Sequence, residues 1–161
     1  NQLEQYSRRS NIRIRGLEIP EGGSSKRVVA AFINEHLKGR DGNPVEVTEN
    51  DFDAAHPLPP LKLKTKPTQG TPTNSLPERK IPMVIVKFHK RDTRDTVIKC
   101  RRSLKGTRFT IQEDLTRPNA DLLNRLSNDP AIKNAWSWEG KIFALVKGAK
   151  KPQRYDIDTN P

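Results

Sequence analysis

The side chains of this sequence whose type and spacing could do chemistry are its arginines and lysines. Between Arg79 and Arg108, thirty residues hold Arg79, Lys80, Lys87, Lys90, Arg91, Arg94, Lys99, Arg101, Arg102, Lys105 and Arg108 against Asp92 and Asp95 alone. So dense a run repels itself and attracts polyanions. Arg8, Arg9, Arg13 and Arg15 form a second, shorter group near the start, and Arg125 and Lys141 stand further on. The chemistry these residues offer is phosphate neutralisation, with arginine planes also able to stack on bases. An evenly solvated, solubility-promoting surface is the plainer reading, but the concentration of the charge argues against it.

Catalytic and metal-binding patterns are missing. The sequence has no G-x-x-x-x-G-K-[ST], no G-x-G-x-x-G after a strand, no G-x-S-x-G and no H-E-x-x-H. His36, His56 and His89 share no ligand spacing, and His36 is expected on the packed face of a helix. One cysteine, Cys100, can form neither an internal disulfide nor a thiolate zinc site. Glu113 and Asp114 precede a helix and are expected to cap it and face its N-terminus. No enzyme, cofactor or metal is indicated.

Composition sets the frame for these groups. The 161 residues carry 30 Lys+Arg and 19 Asp+Glu, a net charge of +11, with 32% hydrophobic residues and 13 prolines. That suits one medium domain or two small ones with unpacked loops, not a large single core. The charge is local: residues 1–56 hold 8 basic and 9 acidic side chains, residues 57–114 hold 14 and 5, and residues 115–161 hold 8 and 5. No apolar run approaches a membrane span and no signal-peptide pattern opens the chain, so a soluble, non-secreted protein is expected, and the single cysteine makes a reducing compartment the default. Asn1 stands where an initiating Met would, as expected of a piece of a longer polypeptide.

The elements that must position the basic groups follow from periodicity. Asn11–Gly16 alternates Ile12 and Ile14 with Arg13 and Arg15, a half-buried strand with an arginine outer face. Ser24 or Ser25 caps a helix over 25–38 with Val29, Phe32, Ile33 and Leu37 on one stripe and Gly39 as its left-handed stop. Asp51–His56 is a short strand. Residues 57–82 contain seven prolines and read as a flexible cationic loop. Met83–Phe88 is the strongest strand, with Met83 and Ile85 outward and Val84, Val86 and Phe88 inward. Asp92 or Thr93 caps a helix to about Leu104, closed by Gly106, and Arg108–Gln112 alternates as a strand. Beyond it Thr116 caps a helix with Pro118 in its first turn and Leu122, Leu123 and Leu126 on one stripe. Ala135–Val146 reads as a hairpin about Glu139-Gly140, pairing Trp138 with Lys141 and Trp136 with Phe143. The tryptophans are expected mainly as core of this small unit, with one half exposed; the tail from 149 to 161 reads as loose.

The expected fold class is therefore α+β. A βαββαβ sandwich resembling an RNA-recognition motif, of ferredoxin-like topology, spans 10–114, and a small helix-plus-hairpin domain spans 115–148. The usual stacking aromatics are absent from the two central strands, where Arg13, Met83 and Ile85 stand instead, so binding led by phosphate contacts is expected over base stacking. Arg94, Arg101, Arg102 and Lys105 could instead form a solvated back face, because the helices pack behind the sheet. A degenerate recognition motif docking a protein through Met83 and Ile85 is the alternative function.

The segment Leu3-Glu4-Gln5-Tyr6-Ser7-Arg8-Arg9-Ser10-Asn11-Ile12-Arg13-Ile14-Arg15-Gly16, the strand Val84-Ile85-Val86-Lys87-Phe88 and the junction Ile111-Gln112-Glu113-Asp114-Leu115-Thr116 together resemble the first-open-reading-frame protein of LINE-type retrotransposons. That family opens this region with L-E-x-x-S-R-R-x-N-[LI]-R-I-x-G, passes through I-[IV]-V-[KR]-F and enters its C-terminal domain through D-L-[ST]. The resemblance covers residues 3 to about 125. It implies an RNA-recognition-motif domain and a C-terminal domain holding single-stranded RNA or DNA between them. It further implies nucleic-acid chaperone activity in a ribonucleoprotein, and a homotrimer built by an upstream coiled coil whose end is residues 1–9. Cytoplasmic ribonucleoprotein particles are the implied location, with the nucleus as alternative. Arg8, Arg9, Arg13, Arg79 and Lys80 match the family's basic positions. With Arg15, Lys87, Arg108, Arg125 and Lys141 they make up the expected nucleic-acid site. The sequence departs from the family at Arg125, which is shifted by a position or two, at Pro57 after His56, in its longer proline-rich loop and in an abbreviated C-terminal unit.

Overall fold

A computed structural model describes residues 1–59 and 81–158. The expected proline-rich loop, with Arg79 and Lys80, falls almost wholly outside the described residues, as do residues 159–161 of the tail.

A short helix, α1 (Gln2–Ser7), leads into β1 (Asn11–Arg15). Alternation in β1 works as the sequence demands: Ile12 and Ile14 are fully buried, and Asn11, Arg13 and Arg15 occupy the other face. Next come α2 (Ser25–His36), β2 (Phe52–Pro57), β3 (Val84–Phe88), α3 (Arg91–Lys99) with a 3-10 extension over Cys100–Leu104, and β4 (Thr110–Glu113). The four strands form one antiparallel sheet in the order β2-β3-β1-β4. Val29, Phe32 and Ile33 of α2 and Val97 and Ile98 of α3 cover one face, against Ile12, Ile14, Val84, Val86 and Phe88. Each such side chain removed from water contributes about 1.5–3 kcal/mol, so this face fixes the register, and the opposite one carries mostly polar side chains beside Ile85.

Several local expectations change. Helix α2 is capped by the Ser24 hydroxyl, which accepts from the Arg27 N–H, but it stops at buried, extended Leu37, and Gly39 is not left-handed. Helix α3 begins one residue before Asp92, with no side-chain cap; Asp92 lies in its first turn, where its charge favours the helix N-terminus. Gly106, at φ 82°, does end the following 3-10 turn. Gly16 is obligatory at the end of β1: its φ is 87°, and a Cβ there would lie 2.5 Å from the Arg108 carbonyl oxygen.

The second unit comprises α4 (Arg117–Asn128), β5 (Ile132–Trp138), β6 (Lys141–Val146) and β7 (Gln153–Tyr155), with sheet order β5-β6-β7. Glu139 and Gly140, at φ 51° and 75°, make the two-residue turn, and Trp138 pairs with Lys141 and Trp136 with Phe143. Two expectations are corrected here. The tail is not loose throughout, because Gln153–Tyr155 adds a third strand on β6 and Tyr155 packs on the core. The tryptophans are not the core: Leu122 and Leu126 bury Ile142 and Ala144, so Trp136, Trp138 and Phe143 take the opposite face of the hairpin. Pleating decides this, since Ser137 and Ile142 are inward and their neighbours must point away. The protein is thus α+β, with two antiparallel sheets and four α-helices among the described residues.

Candidate nucleic-acid interface

The uncovered face of the four-stranded sheet carries the strand arginines. One row across it runs His56, Ile85, Arg13, Gln112, and the next places Lys87 beside Asn11. Asp114, one residue past β4, ends this second row. Its carboxylate is 3% exposed and accepts from Arg13 Nε at 2.7 Å, Asn11 Nδ2 at 3.0 Å and Arg8 Nη1 at 3.1 Å. Arg8 also binds Glu4 at 2.7 Å. The carboxylate of Asp114 is therefore a hub joining α1 to the sheet, not a helix cap.

Its neighbour Glu113 turns to the helix side and meets Arg94 Nη2 at 2.8 Å, both side chains being 2% exposed. Arg94 also binds Asp95 at 3.0 Å. This removes Arg94 from the expected solvated back face: the residue is structural, and a buried guanidinium is tolerated there only because carboxylates face it.

Helix α1 spans the junction of the two units. The Gln5 side-chain oxygen accepts from the Thr116 N–H at 2.8 Å and from Asn119 Nδ2 at 3.0 Å, while its amide donates to the Asp114 carbonyl at 3.0 Å. The Thr116 hydroxyl donates to Asn1 at 2.6 Å in place of capping α4. These bonds set how the second unit stands beside the edge strand β4.

Between that edge and the second unit lies a cleft of about 780 Å³. Arg13, Arg15, Arg101 and Lys105 line one wall; Leu123, Asn124, Ser127 and Trp136 line the other. Arg15, Arg101 and Lys105 take part in no ion pair among the described residues, whereas Arg13 is held by Asp114. The one carboxylate of the lining, Glu113, is matched by Arg94. Three unpaired cations, the Asp114-held Arg13 and a half-buried tryptophan thus face one concave space, where the unpaired cations can neutralise phosphates and the ring can stack a base.

The sequence-derived site is only partly gathered here. Arg13 and Arg15 line the cleft. Arg8 sits at the Asp114 hub. Arg9 lies with its guanidinium 3.9 Å from the Tyr6 ring centroid and shares a different groove with Lys141 and Arg154. Lys87 is exposed on the open sheet face. Arg108 is exposed with its guanidinium 4.9 Å from the Phe109 ring centroid, outside the cleft lining. Arg125 is exposed on α4 but is not on the cleft wall, which Leu123, Asn124 and Ser127 form. Of the residues expected as a possible back face, Lys105 lines the cleft and Arg101 lines both the cleft and a groove behind the sheet. Their signal was the helix ending at Gly106, which turns the chain back to the sheet edge.

The histidines do not converge. His36 packs 5.0 Å from the Phe32 and Phe109 rings, and exposed His89 meets Asp53 at 3.0 Å. Among the described residues no cluster of His, Cys, Asp and Glu could hold a metal, and no helix is long and apolar enough to cross a membrane. Burial, helped by the charge of Asp41, pushes the Cys100 thiol above its ordinary range. Asp41 itself is held below the usual carboxylate range by the Asn43 backbone and side-chain amides. No family model matches the chain, and no curated protein matches it.

Proposed function

We propose that this chain is a sequence-tolerant single-stranded RNA- and DNA-binding and chaperone domain of a retrotransposon ribonucleoprotein of the LINE type. The observation that carries the reading is the cleft beside β4, where Arg15, Arg101 and Lys105 stand without carboxylate partners among the described residues and Trp136 faces them. The strand order β2-β3-β1-β4 with two covering helices is compatible with an RNA-recognition motif. Its open face offers Arg13, Ile85, Gln112 and Lys87 where stacking rings usually stand, which favours phosphate-led binding. The family resemblance adds a homotrimer formed through an upstream coiled coil, to which α1 would lead, and residence in cytoplasmic ribonucleoprotein particles. No catalytic step and no cofactor form part of this reading.

The test is a salt titration of binding to single-stranded RNA, single-stranded DNA and duplex. The expected result is a steep linear fall of log K with log salt for both single strands, corresponding to roughly 4 to 8 phosphates at about 0.7 each. A flat dependence would overturn the reading. A protein complex that survives high salt would support the alternative interaction module in its place.

A further inference from the structure

Behind the sheet, a second groove of about 870 Å³ lies between the end of α2, the end of α3 and the tip of the β5–β6 hairpin. Lys38 and Arg40 reach it from the turn after α2, Lys99 from the last turn of α3, and Arg101 and Arg102 from the 3-10 extension. No Asp or Glu lines it, and none of these five cations takes part in an ion pair among the described residues. Asp41, on the same turn, directs its carboxylate to the Asn43 N–H and side-chain amide at 3.0 and 2.9 Å. The two basic segments are fixed to each other: the Ser103 hydroxyl accepts from the Lys38 N–H at 3.1 Å and donates to the Lys38 carbonyl at 3.2 Å. The two backbone segments that carry these cations are therefore held side by side, with their charged side chains turned to solvent.

Its far wall is Trp138, 37% exposed. The hairpin pleat turns this ring away from the small core of the second unit and toward the groove. A partly exposed tryptophan beside unpaired cations provides both halves of single-strand recognition, a π-face for a base and counter-charge for the backbone.

Arg101 lines this groove and also the cleft beside β4. From this shared residue we infer that the rear groove is a second binding segment for the same single strand. The strand leaves the inter-unit cleft past Arg101 and runs behind the sheet along Arg102, Lys99, Lys38 and Arg40, with one base on Trp138. The inference rests on the nucleic-acid reading of the cleft and extends it, because that reading needs only one concave site. It predicts a footprint longer than the cleft alone would give.

The experiment compares uridine oligonucleotides of about 5 and about 25 nucleotides, binding the wild-type chain and a Lys38→Ala/Arg40→Ala/Arg102→Ala variant. All three substituted side chains are exposed and lie outside the front cleft, so folding is checked by an unchanged unfolding midpoint. The expected result is that the variant binds the long oligonucleotide at least tenfold more weakly. Its salt slope for that ligand should fall by about 2, three phosphates at about 0.7 each, while the short oligonucleotide binds as before. Trp138→Ala should weaken the long ligand about tenfold with the slope unchanged. In a Trp136→Phe background, the remaining Trp138 emission should be quenched by the long ligand only.

If wild type binds both ligands and the variants bind the long one equally well, the rear segment is refuted and the cleft reading stands. If wild type binds neither, the cleft reading itself fails and takes the rear segment with it. If polyglutamate competes as well as the long oligonucleotide does, the groove is a general polyanion surface and the assignment is overturned.

Discussion

Two ends of the same four-stranded sheet carry arginines and use them in opposite ways. At the start of β1, Arg8 and Arg13 converge on the Asp114 carboxylate within 3.1 Å, and on the helix side Arg94 closes on Glu113 at 2.8 Å. Past α3, Arg101, Arg102 and Lys105 have no such partner among the described residues and border open grooves. The difference lies in two adjacent acids at the end of β4, which pleating sends to opposite faces of the sheet. A cation beside a buried carboxylate becomes part of the frame; one beside a glycine turn remains available to a ligand. Counting basic residues therefore overstates the interface at the first end and understates it at the second.

The largest effect should come from breaking the frame. Arg94→Ala leaves Glu113 buried without its main counter-charge, and loss of one partner of a buried pair costs about 3–5 kcal/mol. Denaturant unfolding should show that loss, and a matched Arg94→Met/Glu113→Leu pair should recover most of it. An Arg94→Ala chain of unchanged stability would mean that Arg94 belongs with the free cations, and the contrast would break.

A smaller, two-sided effect should follow Asp114→Asn. Three donors lose a charged acceptor, so stability should drop by about 1–3 kcal/mol. Arg13, 28% exposed, would then be free to meet phosphate while Arg8 keeps its Glu4 partner at 2.7 Å, and the salt slope for single-stranded RNA should rise by about 0.7 for one added contact. Unfolding midpoints and salt titrations read the two signs separately. Lower stability with an unchanged slope would place Arg13 outside the nucleic-acid path.

How much of this was legible in the sequence depended on the range of the interaction. Periodicity found the strands around Ile12 and Ile14 and around Val84–Phe88, and the hairpin pairing of Trp136 with Phe143, because each is decided within a few residues. It assigned the tryptophans to the core because it could not tell which face of the hairpin α4 would cover; Ile142 and Ala144 settle that through tertiary packing. Strand β7 was missed because Gln-Arg-Tyr has no alternation long enough to register, and only its pairing with β6 makes it a strand. The binding chemistry was legible as charge, but its location was not. Asp114 lies more than 100 residues from Arg8 and Arg13, so nothing local announces that those arginines are engaged. Glu113 and Asp114 looked like a capping pair because their contacts with Arg94 and Arg13 come from other elements.

The finest resolution of the contrast comes from exposed cations that differ only in place. Arg15→Ala/Lys105→Ala removes two charges from the cleft wall and should lower the salt slope by about 1.4. Because both side chains are exposed and unpaired among the described residues, stability should stay within about 0.5 kcal/mol. Arg125→Ala is the control: it also removes an exposed arginine, but from a part of α4 that does not line the cleft. A purely diffuse field would respond to net charge, so each removed cation would count alike. Localised phosphate contacts respond to position, so the double variant should lose slope while Arg125→Ala leaves it unchanged. Equal losses per charge in the two variants would show that the cleft is no more than part of a basic surface.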